Sequence, residues 1–188
     1  MFKVYKTKIH GVYIINPEIY GDHRGFFMES WNKKKFEELG LNLNFIQDNH
    51  SKSKKGVLRG IHFQTKHSQG KLVRVIKGAV FDVAVDLRPN SPTFGKYESI
   101  ILSEANKKMF YVPEQFGHAY LTLSKEAEFL YKTTDYYYPE YDSGIIWDDP
   151  DINISWPVHE LVGSLVILSD KDKELQSFLE YKMMLYKK

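Results

Sequence analysis

The residue in this sequence that is best suited to catalysis is a histidine close to a cation. His62 belongs to the segment Gly56-Val57-Leu58-Arg59-Gly60-Ile61-His62-Phe63-Gln64. On a strand, side chains alternate between faces, so His62 and Gln64 would share one face and Ile61 and Phe63 the other. A neutral imidazole, with a pKa of about 6.5, can accept a proton near neutral pH. A lone histidine can equally be a structural residue, and this segment leaves both interpretations open.

Cations that lie close to His62 in the chain favour a functional site. Arg59, Lys71 and Arg74 all fall within a short stretch of predicted strands. A half-buried sheet rarely holds several cations without an anion to meet them, because burying an unpaired charge is costly. The cations therefore indicate that a negatively charged group binds, or that negative charge develops, near the histidine.

A predicted hairpin places one of these cations beside a carboxylate. Residues 71–76 and 80–87 are rich in β-branched side chains, and the segment 77–79, with its central glycine, is typical of a hairpin turn. In such a hairpin Lys71 and Asp82 would be diagonal neighbours on one face. The pair could be purely structural, or it could hold an ammonium group where negative charge develops. The spacing does not separate these interpretations.

Two further candidates are His118 and Tyr131. Positions 60 and 64 are not histidine and cysteine is absent, so His62 and His118 lack the partners of a first-row metal site. We therefore predict no bound metal.

Tyr131 shares a strand face with Phe129, which is consistent with a phenol directed into an apolar cavity. An ordinary core tyrosine fits the same pattern.

Composition restricts the class of protein. The 188 residues are 43% hydrophobic and 27% charged, which is typical of one globular domain, here residues 1–188. The formal net charge of +2 gives no reason to expect nucleic acid as a partner. The absence of cysteine excludes disulfides and cysteine nucleophiles. No apolar run reaches membrane-spanning length, so we expect a cytoplasmic enzyme or binding domain without a membrane partner.

The elements that must position these residues are mostly short strands. Their regular spacing, with Gly, Pro and Asn between them, predicts an all-β sandwich or barrel. A short helix is expected over residues 32–39, with Asn32 as its cap. A C-terminal helix is expected from 169 to about 186, capped by Ser169 or Asp170. The strands predicted after the hairpin cover residues 97–102, 109–113, 119–123 and 128–134.

Many motifs, spaced in order along nearly the whole chain, resemble one family, the dTDP-4-dehydrorhamnose 3,5-epimerases. No single motif would suffice, but their number and order make chance very improbable. The resemblance implies a cupin-like jelly-roll β-barrel with short peripheral helices and a C-terminal helix. It also implies a homodimer that exchanges N-terminal strands, and no cofactor. The motifs are Gly21-Asp22-His23-Arg24-Gly25-Phe26-Phe27-Met28-Glu29, Phe45-Ile46-Gln47-Asp48-Asn49-His50-Ser51, the His62 segment, Gln69-Gly70-Lys71-Leu72-Val73-Arg74, Asp82-Val83-Ala84-Val85-Asp86-Leu87-Arg88, Ser91-Pro92-Thr93-Phe94-Gly95, Trp147-Asp148-Asp149-Pro150, Trp156-Pro157 and Leu168-Ser169-Asp170-Lys171-Asp172.

The resemblance also implies roles for individual residues. His62 would be the base, oriented by Asp172, and Tyr131 the acid. Asp170 lies close to Asp172 in the chain, and only the family position favours the latter. Lys71 would steady the enolate oxygen, and we expect Asp82 to support it. The substrate-contact positions are Arg24, Glu29, Gln47, Asn49, Arg59 and His118, with Lys171 near the nucleotide and Phe26 and Tyr138 as thymine-stacking residues.

One motif departs from the family. Where the family usually has Phe-Ala-His-Gly-Phe, this chain has Phe116-Gly117-His118-Ala119-Tyr120. The small residues have exchanged sides of the histidine, and Tyr120 adds a hydroxyl. The departure concerns the sugar pocket, and therefore whether one carbon or two are inverted.

The predicted function is epimerisation at carbons 3 and 5 of dTDP-4-keto-6-deoxy-D-glucose, giving dTDP-4-keto-L-rhamnose for cell-surface polysaccharide biosynthesis. Inverting a carbon beside a ketone needs a base on one face of the sugar and an acid on the other, with no redox cofactor. Three alternatives stay open. They are a single-site 3- or 5-epimerase, a ketoisomerase acting on a related nucleotide 4-ketosugar, and a non-catalytic sugar-nucleotide-binding jelly roll.

Overall fold

The computed structural model describes residues 1–161, 163 and 165–186. These residues form thirteen β-strands and three α-helices. The strands expected from the sequence are confirmed, with small differences at their ends. In chain order the elements are β1 Lys3–Lys6, β2 Tyr13–Asn16, β3 Tyr20–Asp22, β4 Gly25–Phe27, α1 Lys33–Glu38, β5 Gln47–Lys54, β6 Leu58–Gln64, β7 Lys71–Lys77, β8 Ala79–Asp86, β9 Tyr97–Ser103, β10 Met109–Val112, β11 Phe116–Thr122, β12 Glu126–Thr133, β13 Asp142–Gly144, α2 Asp170–Lys173 and α3 Phe178–Tyr186.

The strands form two antiparallel sheets that face each other. One sheet has six strands in the order β1-β2-β10-β7-β12-β5, and the other has five in the order β13-β6-β11-β8-β9. Side chains from both sheets, among them Val73, Phe129, Val80 and Tyr120, meet in one buried cluster between them. This arrangement confirms the predicted jelly-roll barrel. β3 and β4 form a separate two-stranded hairpin.

The outer face of the five-stranded sheet is also buried, and this sets the direction of His62. Ile61 and Phe63 pack into a second cluster with Trp156 and Phe178 of the C-terminal region. Burying a side chain of this size stabilises the fold by about 1.5–3 kcal/mol relative to leaving it exposed. Because side chains alternate on β6, anchoring Ile61 and Phe63 outside directs His62 into the barrel.

The predicted hairpin between β7 and β8 is wrong. β7 pairs with β10 and β12 in the six-stranded sheet, whereas β8 pairs with β11 and β9 in the other sheet. The chain crosses between the sheets at Gly78, whose φ is +75°. A Cβ there would lie 2.1 Å from the carbonyl oxygen of Glu126, so the crossing requires glycine. A glycine between two apolar runs gives the same sequence pattern whether the two strands pair in a hairpin or lie in different sheets.

The short helix α1 is confirmed, including its cap, since the side chain of Asn32 accepts a hydrogen bond from the backbone of Lys35. None of the helices in the described part of the chain is long and apolar enough to cross a membrane.

The single C-terminal helix predicted from the sequence is wrong, because the chain breaks it into α2 and α3. Between them, the carbonyl of Gln176 accepts a hydrogen bond of 3.0 Å from the backbone of Ile146. Ser177 then starts α3 by exchanging hydrogen bonds with Glu180, and this capping box was the sequence signal for the break. Ser169 caps α2, as one of the two predicted alternatives had it.

Candidate active site

His62 is held by one of the two candidate carboxylates. Its Nε2 lies 2.5 Å from Oδ1 of Asp172, in the first turn of α2. The side chain of His62 is 31% exposed and that of Asp172 only 4%, so the ring is reachable from the cavity while the carboxylate is shielded. Asp170 instead bonds Lys173 at the surface. The structure thus places Asp172, and not Asp170, on the histidine.

The electrostatics of this pair fix the tautomer of the histidine. Burial opposes ionisation of Asp172, but the hydrogen bond and charge of His62 and a hydrogen bond from Ser169 hold the pKa of the carboxyl below its ordinary value. An anionic Asp172 accepts a hydrogen bond from the Nε2–H group of a neutral imidazole. Nδ1 then carries the lone pair, which is the arrangement a general base requires.

A second histidine–carboxylate pair lies on the neighbouring strand. His118 of β11 is directly opposite His62 in the register, and its Nε2 lies 3.0 Å and 3.1 Å from the two carboxylate oxygens of Asp82. Asp82 is not the diagonal neighbour of Lys71 that the hairpin predicted, because β8 and β11 are neighbours in one sheet while Lys71 lies on the other, but the two residues still interact through their charges. Complete burial raises the pKa of Asp82, and the charges of His118 and Lys71 oppose this rise.

Lys71 lies at the start of β7, on the sheet opposite His62. Its strand neighbours are the uncharged residues Val112 and Thr133. Burial lowers the pKa of Lys71 to about 8, and the charges of Asp142 and Asp82 limit the fall. The side chain is thus an ammonium at neutral pH whose proton is held less tightly than that of a surface lysine.

Tyr131 faces the barrel interior from β12, in the sheet opposite His62. It packs against the cluster between the sheets, with its ring 6.0 Å from that of Phe129. Burial raises the pKa of the phenol, the charge of Tyr120 raises it further, and the charge of Arg59 opposes the rise. The phenol is therefore protonated at neutral pH and able to act as a proton donor.

Three of the predicted substrate-contact residues lie beside Tyr131. Asn49 pairs with it across the strands β5 and β12, and Gln47 donates a hydrogen bond of 3.0 Å to Asn49. The guanidinium of Arg59, on β6, donates a hydrogen bond of 3.2 Å to Ser53. These side chains bring one cation and two amides to the interior of the barrel near the phenol.

Tyr138 and Lys171 are held by residues around the same site. The backbone of Tyr138 donates a hydrogen bond of 2.7 Å to Gln64, and its ring lies 4.5 Å from that of His67. Lys171, on α2, forms an ion pair with Asp142. Gln64 lies two residues after His62 on β6, and it thus orients the loop that follows β12.

Arg24 and Phe26 are not brought to the site of their own chain. They lie on the hairpin β3–β4, where every residue is exposed. The ring of Phe26 lies 3.9 Å from the ammonium of Lys107, in the turn between β9 and β10. Since Val112 at the other end of β10 pairs with Lys71, this turn lies at the end of the sheet away from Lys71.

Glu29, the third predicted substrate-contact residue near the N-terminus, is paired with neighbouring residues of its own chain. Its carboxylate pairs with Lys35 and accepts a hydrogen bond of 3.0 Å from Asn32 at the start of α1. The hydrogen bonds of these partners hold the pKa of Glu29 below its ordinary value.

The exchanged small residues around His118 fit their surroundings. A Cβ at Gly117 would lie 2.4 Å from Ile61, and a Cβ at Gly60 would lie 2.4 Å from the methyl group of Ala119. The glycine at position 60 therefore leaves room for the alanine. The additional hydroxyl of Tyr120 is hydrogen-bonded by Ser51 at 3.0 Å and by Ser53 at 3.2 Å.

Sequence reasoning missed Asp142 and Tyr137. The hydroxyl of Tyr137 donates a hydrogen bond of 2.8 Å to Asp142, which also holds Lys171. No local pattern marks them. The inward polar residues of β5 did carry a signal, because Gln47, Asn49, Ser51 and Ser53 alternate along the strand. Among the described residues no group of three or more His, Asp or Glu side chains is arranged to bind a metal ion.

Comparison with known proteins places this geometry in context. The family model for dTDP-4-dehydrorhamnose 3,5-epimerase matches residues 6–180. A protein of that name from Methanothermobacter thermautotrophicus is 53% identical over 179 residues, which cover 95% of this chain and 96% of the relative. A similar fold is seen in the crystal structure of dTDP-6-deoxy-D-glucose-3,5-epimerase from Legionella pneumophila in complex with dTDP-4-keto-L-rhamnose. The TM-score is 0.89 and the sequence identity 49%, and the match covers 94% of this chain and 93% of the Legionella chain.

A further similar structure is that of an enzyme with a narrower activity. It is a 3′-monoepimerase from Streptomyces bikiniensis in complex with dTDP-quinovose, with a TM-score of 0.86 and 30% identity over 95% of this chain and 89% of its own. The shared fold therefore does not by itself fix the number of carbons that are inverted.

Proposed function

The chain belongs to the dTDP-4-dehydrorhamnose 3,5-epimerase family, and we propose how its own residues carry out the epimerisation. It is an isomerase of dTDP-rhamnose biosynthesis that converts dTDP-4-keto-6-deoxy-D-glucose into dTDP-4-keto-L-rhamnose. Carbons 3 and 5, which are inverted, flank the ketone at carbon 4. A cytoplasmic location stays a prediction from the sequence.

His62 acts as the general base in this proposal. Nδ1 removes the proton from the carbon beside the ketone, and the electron pair of the broken C–H bond moves into the carbonyl to give an enolate. Asp172, 2.5 Å from Nε2, stabilises the imidazolium that forms. Positioned acid–base groups of this kind contribute on the order of 10²- to 10⁴-fold in rate.

Lys71 and Tyr131 complete the exchange. The ammonium of Lys71 meets the enolate oxygen, and a donor placed where negative charge develops is worth about 3–4 kcal/mol. Tyr131 then gives its phenolic proton to the carbon from the other face of the sugar. The opposite positions of His62 and Tyr131, on the two facing sheets, support this division of labour.

The nucleotide diphosphate is bound by cations in this proposal. Arg59 is exposed on β6 with its charge close enough to act on Tyr131, and Lys171 lies on the helix that carries Asp172. Guanidinium groups suit the bidentate recognition of phosphate oxygens. Binding energy from the nucleotide then holds the ketosugar between base and acid.

The contact between His62 and Asp172, with Tyr131 on the facing sheet, carries the proposal. It is tested by incubating the protein with dTDP-4-keto-6-deoxy-D-glucose in heavy water and following deuterium at carbons 3 and 5 by NMR. We expect incorporation at both carbons. Incorporation at one carbon would indicate a single-site epimerase, and movement of the carbonyl would indicate a ketoisomerase. Incorporation at neither carbon would indicate a binding protein without catalytic activity.

Replacing Tyr131 with phenylalanine is expected to separate proton removal from inversion. Without the phenol, His62 can still remove a proton and return a deuteron to the same face, so deuterium exchange should continue. Formation of the inverted product should fall by about 10²-fold or more, because the donor on the other face is missing. Both rates are measured in one NMR time course. Equal loss of exchange and inversion would contradict the assigned role of Tyr131.

We further propose that the active protein is a homodimer in which the hairpin β3–β4 enters the partner's site. The hairpin exposes Tyr20, Phe26 and Phe27, with 58%, 58% and 67% of their surfaces accessible. Exposed aromatic side chains in such number are typical of an interface. The outer face of the six-stranded sheet offers a groove of about 280 Å³, lined in part by Leu72 and Leu130, to receive a partner.

Mixing two inactive variants should then restore activity. We expect Arg24→Ala to weaken phosphate binding and His62→Ala to remove the base. If Arg24 serves the partner's site, a heterodimer of these variants has one complete site, so a statistical mixture should recover about one quarter of the wild-type activity. The variants are refolded together and assayed by NMR.

A mixture of His62→Ala and Tyr131→Phe serves as the control. Both residues lie in the barrel of one chain, so their heterodimer has no complete site, and the mixture should form no more inverted product than the separate variants do. Absence of recovery in the Arg24→Ala mixture would contradict the exchange of hairpins.

A further inference from the structure

The hydroxyl of Tyr120 reaches from one sheet of the barrel to the other, and the proton exchange makes no use of it. Tyr120 lies on β11 in the five-stranded sheet and is only 4% exposed. Its hydroxyl lies 3.0 Å from that of Ser51 and 3.2 Å from that of Ser53, both on β5 at the edge of the six-stranded sheet. Its ring is stacked on that of Phe129, with the ring centres 4.4 Å apart. The packing of the ring and the two hydrogen bonds therefore fix the hydroxyl in place.

An irregularity in β6 brings Arg59 to the same side of the sheet as Tyr120. In the pairing of β11 with β6, His118 is opposite His62 and Tyr120 is opposite Arg59. A step of two residues on β11 thus corresponds to a step of three on β6, as in a β-bulge, which changes the direction of a side chain. Residues that are directly opposite in an antiparallel pair point to the same side. Arg59 therefore shares a side with His62, which a spacing of three residues in a regular strand would not allow.

Ser53 joins the guanidinium of Arg59 to the hydroxyl of Tyr120. Nε of Arg59 donates a hydrogen bond of 3.2 Å to Oγ of Ser53, which also lies 3.2 Å from the hydroxyl of Tyr120. A serine hydroxyl has one hydrogen to donate and can accept two hydrogen bonds, so Ser53 can serve both neighbours at once. The bond from Arg59 uses Nε, so it does not consume the two terminal Nη groups, which suit the bidentate recognition of phosphate oxygens.

We propose that Tyr120 is a positioning residue for nucleotide binding, whose hydroxyl holds Ser53, and through it Arg59, in the orientation that meets the diphosphate. This role rests on the proposed function, in which Arg59 binds the diphosphate. Tyr120 is also the position at which this chain departs from the family motif by adding a hydroxyl. The hydrogen bonds assign that hydroxyl to the nucleotide and not to the sugar.

Orientation before binding matters because the side chain of Arg59 is long and exposed. Fixing such a side chain when the ligand arrives costs conformational entropy, and a side chain that is already held in place avoids part of that cost. The diphosphate itself does not change during the epimerisation, so the gain is the same in the ground state and in the transition state. Loss of the Tyr120 hydroxyl should therefore raise KM and leave kcat almost unchanged.

The test uses Tyr120→Phe, which removes only the hydroxyl, and Arg59→Met, which removes the guanidinium, alone and together. The dissociation constant of dTDP is measured by calorimetric titration for the wild type and the three variants. We expect Tyr120→Phe to raise it about three- to tenfold, the usual range for one hydrogen bond. In the Arg59→Met background the same substitution should change it by less than about twofold, because the hydroxyl acts through Arg59.

Tyr97→Phe is the matched control for the loss of a hydroxyl. Tyr97 packs against the cluster on the outer face of the five-stranded sheet, and its hydroxyl accepts a hydrogen bond of 3.0 Å from the backbone of Ser155. Its replacement should leave the dissociation constant of dTDP unchanged. Ser53→Ala removes the link itself and should raise this constant at least as much as Tyr120→Phe, with little further increase when the two are combined.

Steady-state kinetics with the ketosugar complete the test. Tyr120→Phe should raise KM and leave kcat and the ratio of deuterium at carbons 3 and 5 unchanged. An unchanged dissociation constant in Tyr120→Phe, or equal increases with and without Arg59, would overturn the proposal. A changed deuterium ratio would also overturn it, because the hydroxyl would then act on the sugar. Failure of the wild type to exchange deuterium at either carbon would instead refute the proposed function, so the two failures are distinguishable.

Discussion

Replacing His62 with alanine is expected to reduce deuterium incorporation at carbons 3 and 5 by about 10³- to 10⁴-fold. The imidazole is 31% exposed and has a buried carboxylate behind it, at 2.5 Å. Removing it leaves the bound ketosugar without an acceptor for the carbon-bound proton. NMR in heavy water measures the loss, and calorimetric titration with dTDP should give a dissociation constant close to that of the wild type.

His10→Ala is the matched control for this prediction. His10 is exposed, between β1 and β2, and its loss should leave exchange at the wild-type rate. Exchange that survived in His62→Ala would show that His62 is not the base. Loss of dTDP binding in parallel would show that the substitution damages the whole site.

Replacing Lys71 with methionine should reduce kcat by about 10²- to 10³-fold, with KM changed much less. Methionine keeps an unbranched side chain of similar reach but removes the ammonium that meets the enolate oxygen. A donor at a developing oxyanion contributes about 3–4 kcal/mol, and this contribution is made only as the charge forms. Exchange at both carbons should therefore slow together, since both inversions pass through an enolate of the same ketone. Steady-state kinetics with the ketosugar measure the effect.

Lys77→Met provides the matched control on the same strand. Lys77 lies at the other end of β7, where its ammonium pairs with Glu126 at the surface. Its replacement should leave kcat and KM near their wild-type values. If Lys71→Met changed KM alone, Lys71 would belong to nucleotide binding and not to the enolate.

Much of the fold followed from local patterns. The strands after the His62 segment and the helix α1 were found because their signals, β-branched runs and a side-chain cap, act within a few residues. The break between α2 and α3 also has a local sequence signal, the capping box of Ser177 and Glu180. It was missed because the surrounding residues favour a continuous helix.

The sheet partners of each strand did not follow from local patterns. β7 and β8 are consecutive and both suit a hairpin, yet each is paired with strands distant in sequence. A strand offers the same backbone groups to any partner, so the choice depends on which side chains can be buried together between the sheets. The wrong hairpin placed Asp82 beside Lys71, whereas its carboxylate is hydrogen-bonded to His118.

The sequence alone determined the family, through motifs spaced along nearly the whole chain, and that His62 and Gln64 share the strand face opposite to Ile61 and Phe63. The alternation of side chains on a strand is a property of the backbone itself, so it can be read without a structure. Ile61 and Phe63 needed only to be apolar for His62 to be directed inward.

Only the tertiary structure decided which groups meet. His62 and Asp172 are separated by 110 residues, and apart from the family position nothing in the sequence favoured Asp172 over Asp170. Asp142 has no local sequence signal, because packing alone brings Tyr137 and Lys171 to its carboxylate. Contacts between distant residues are set by how the sheets and α2 bury their apolar faces. Local sequence cannot encode that outcome, since it depends on the whole chain at once.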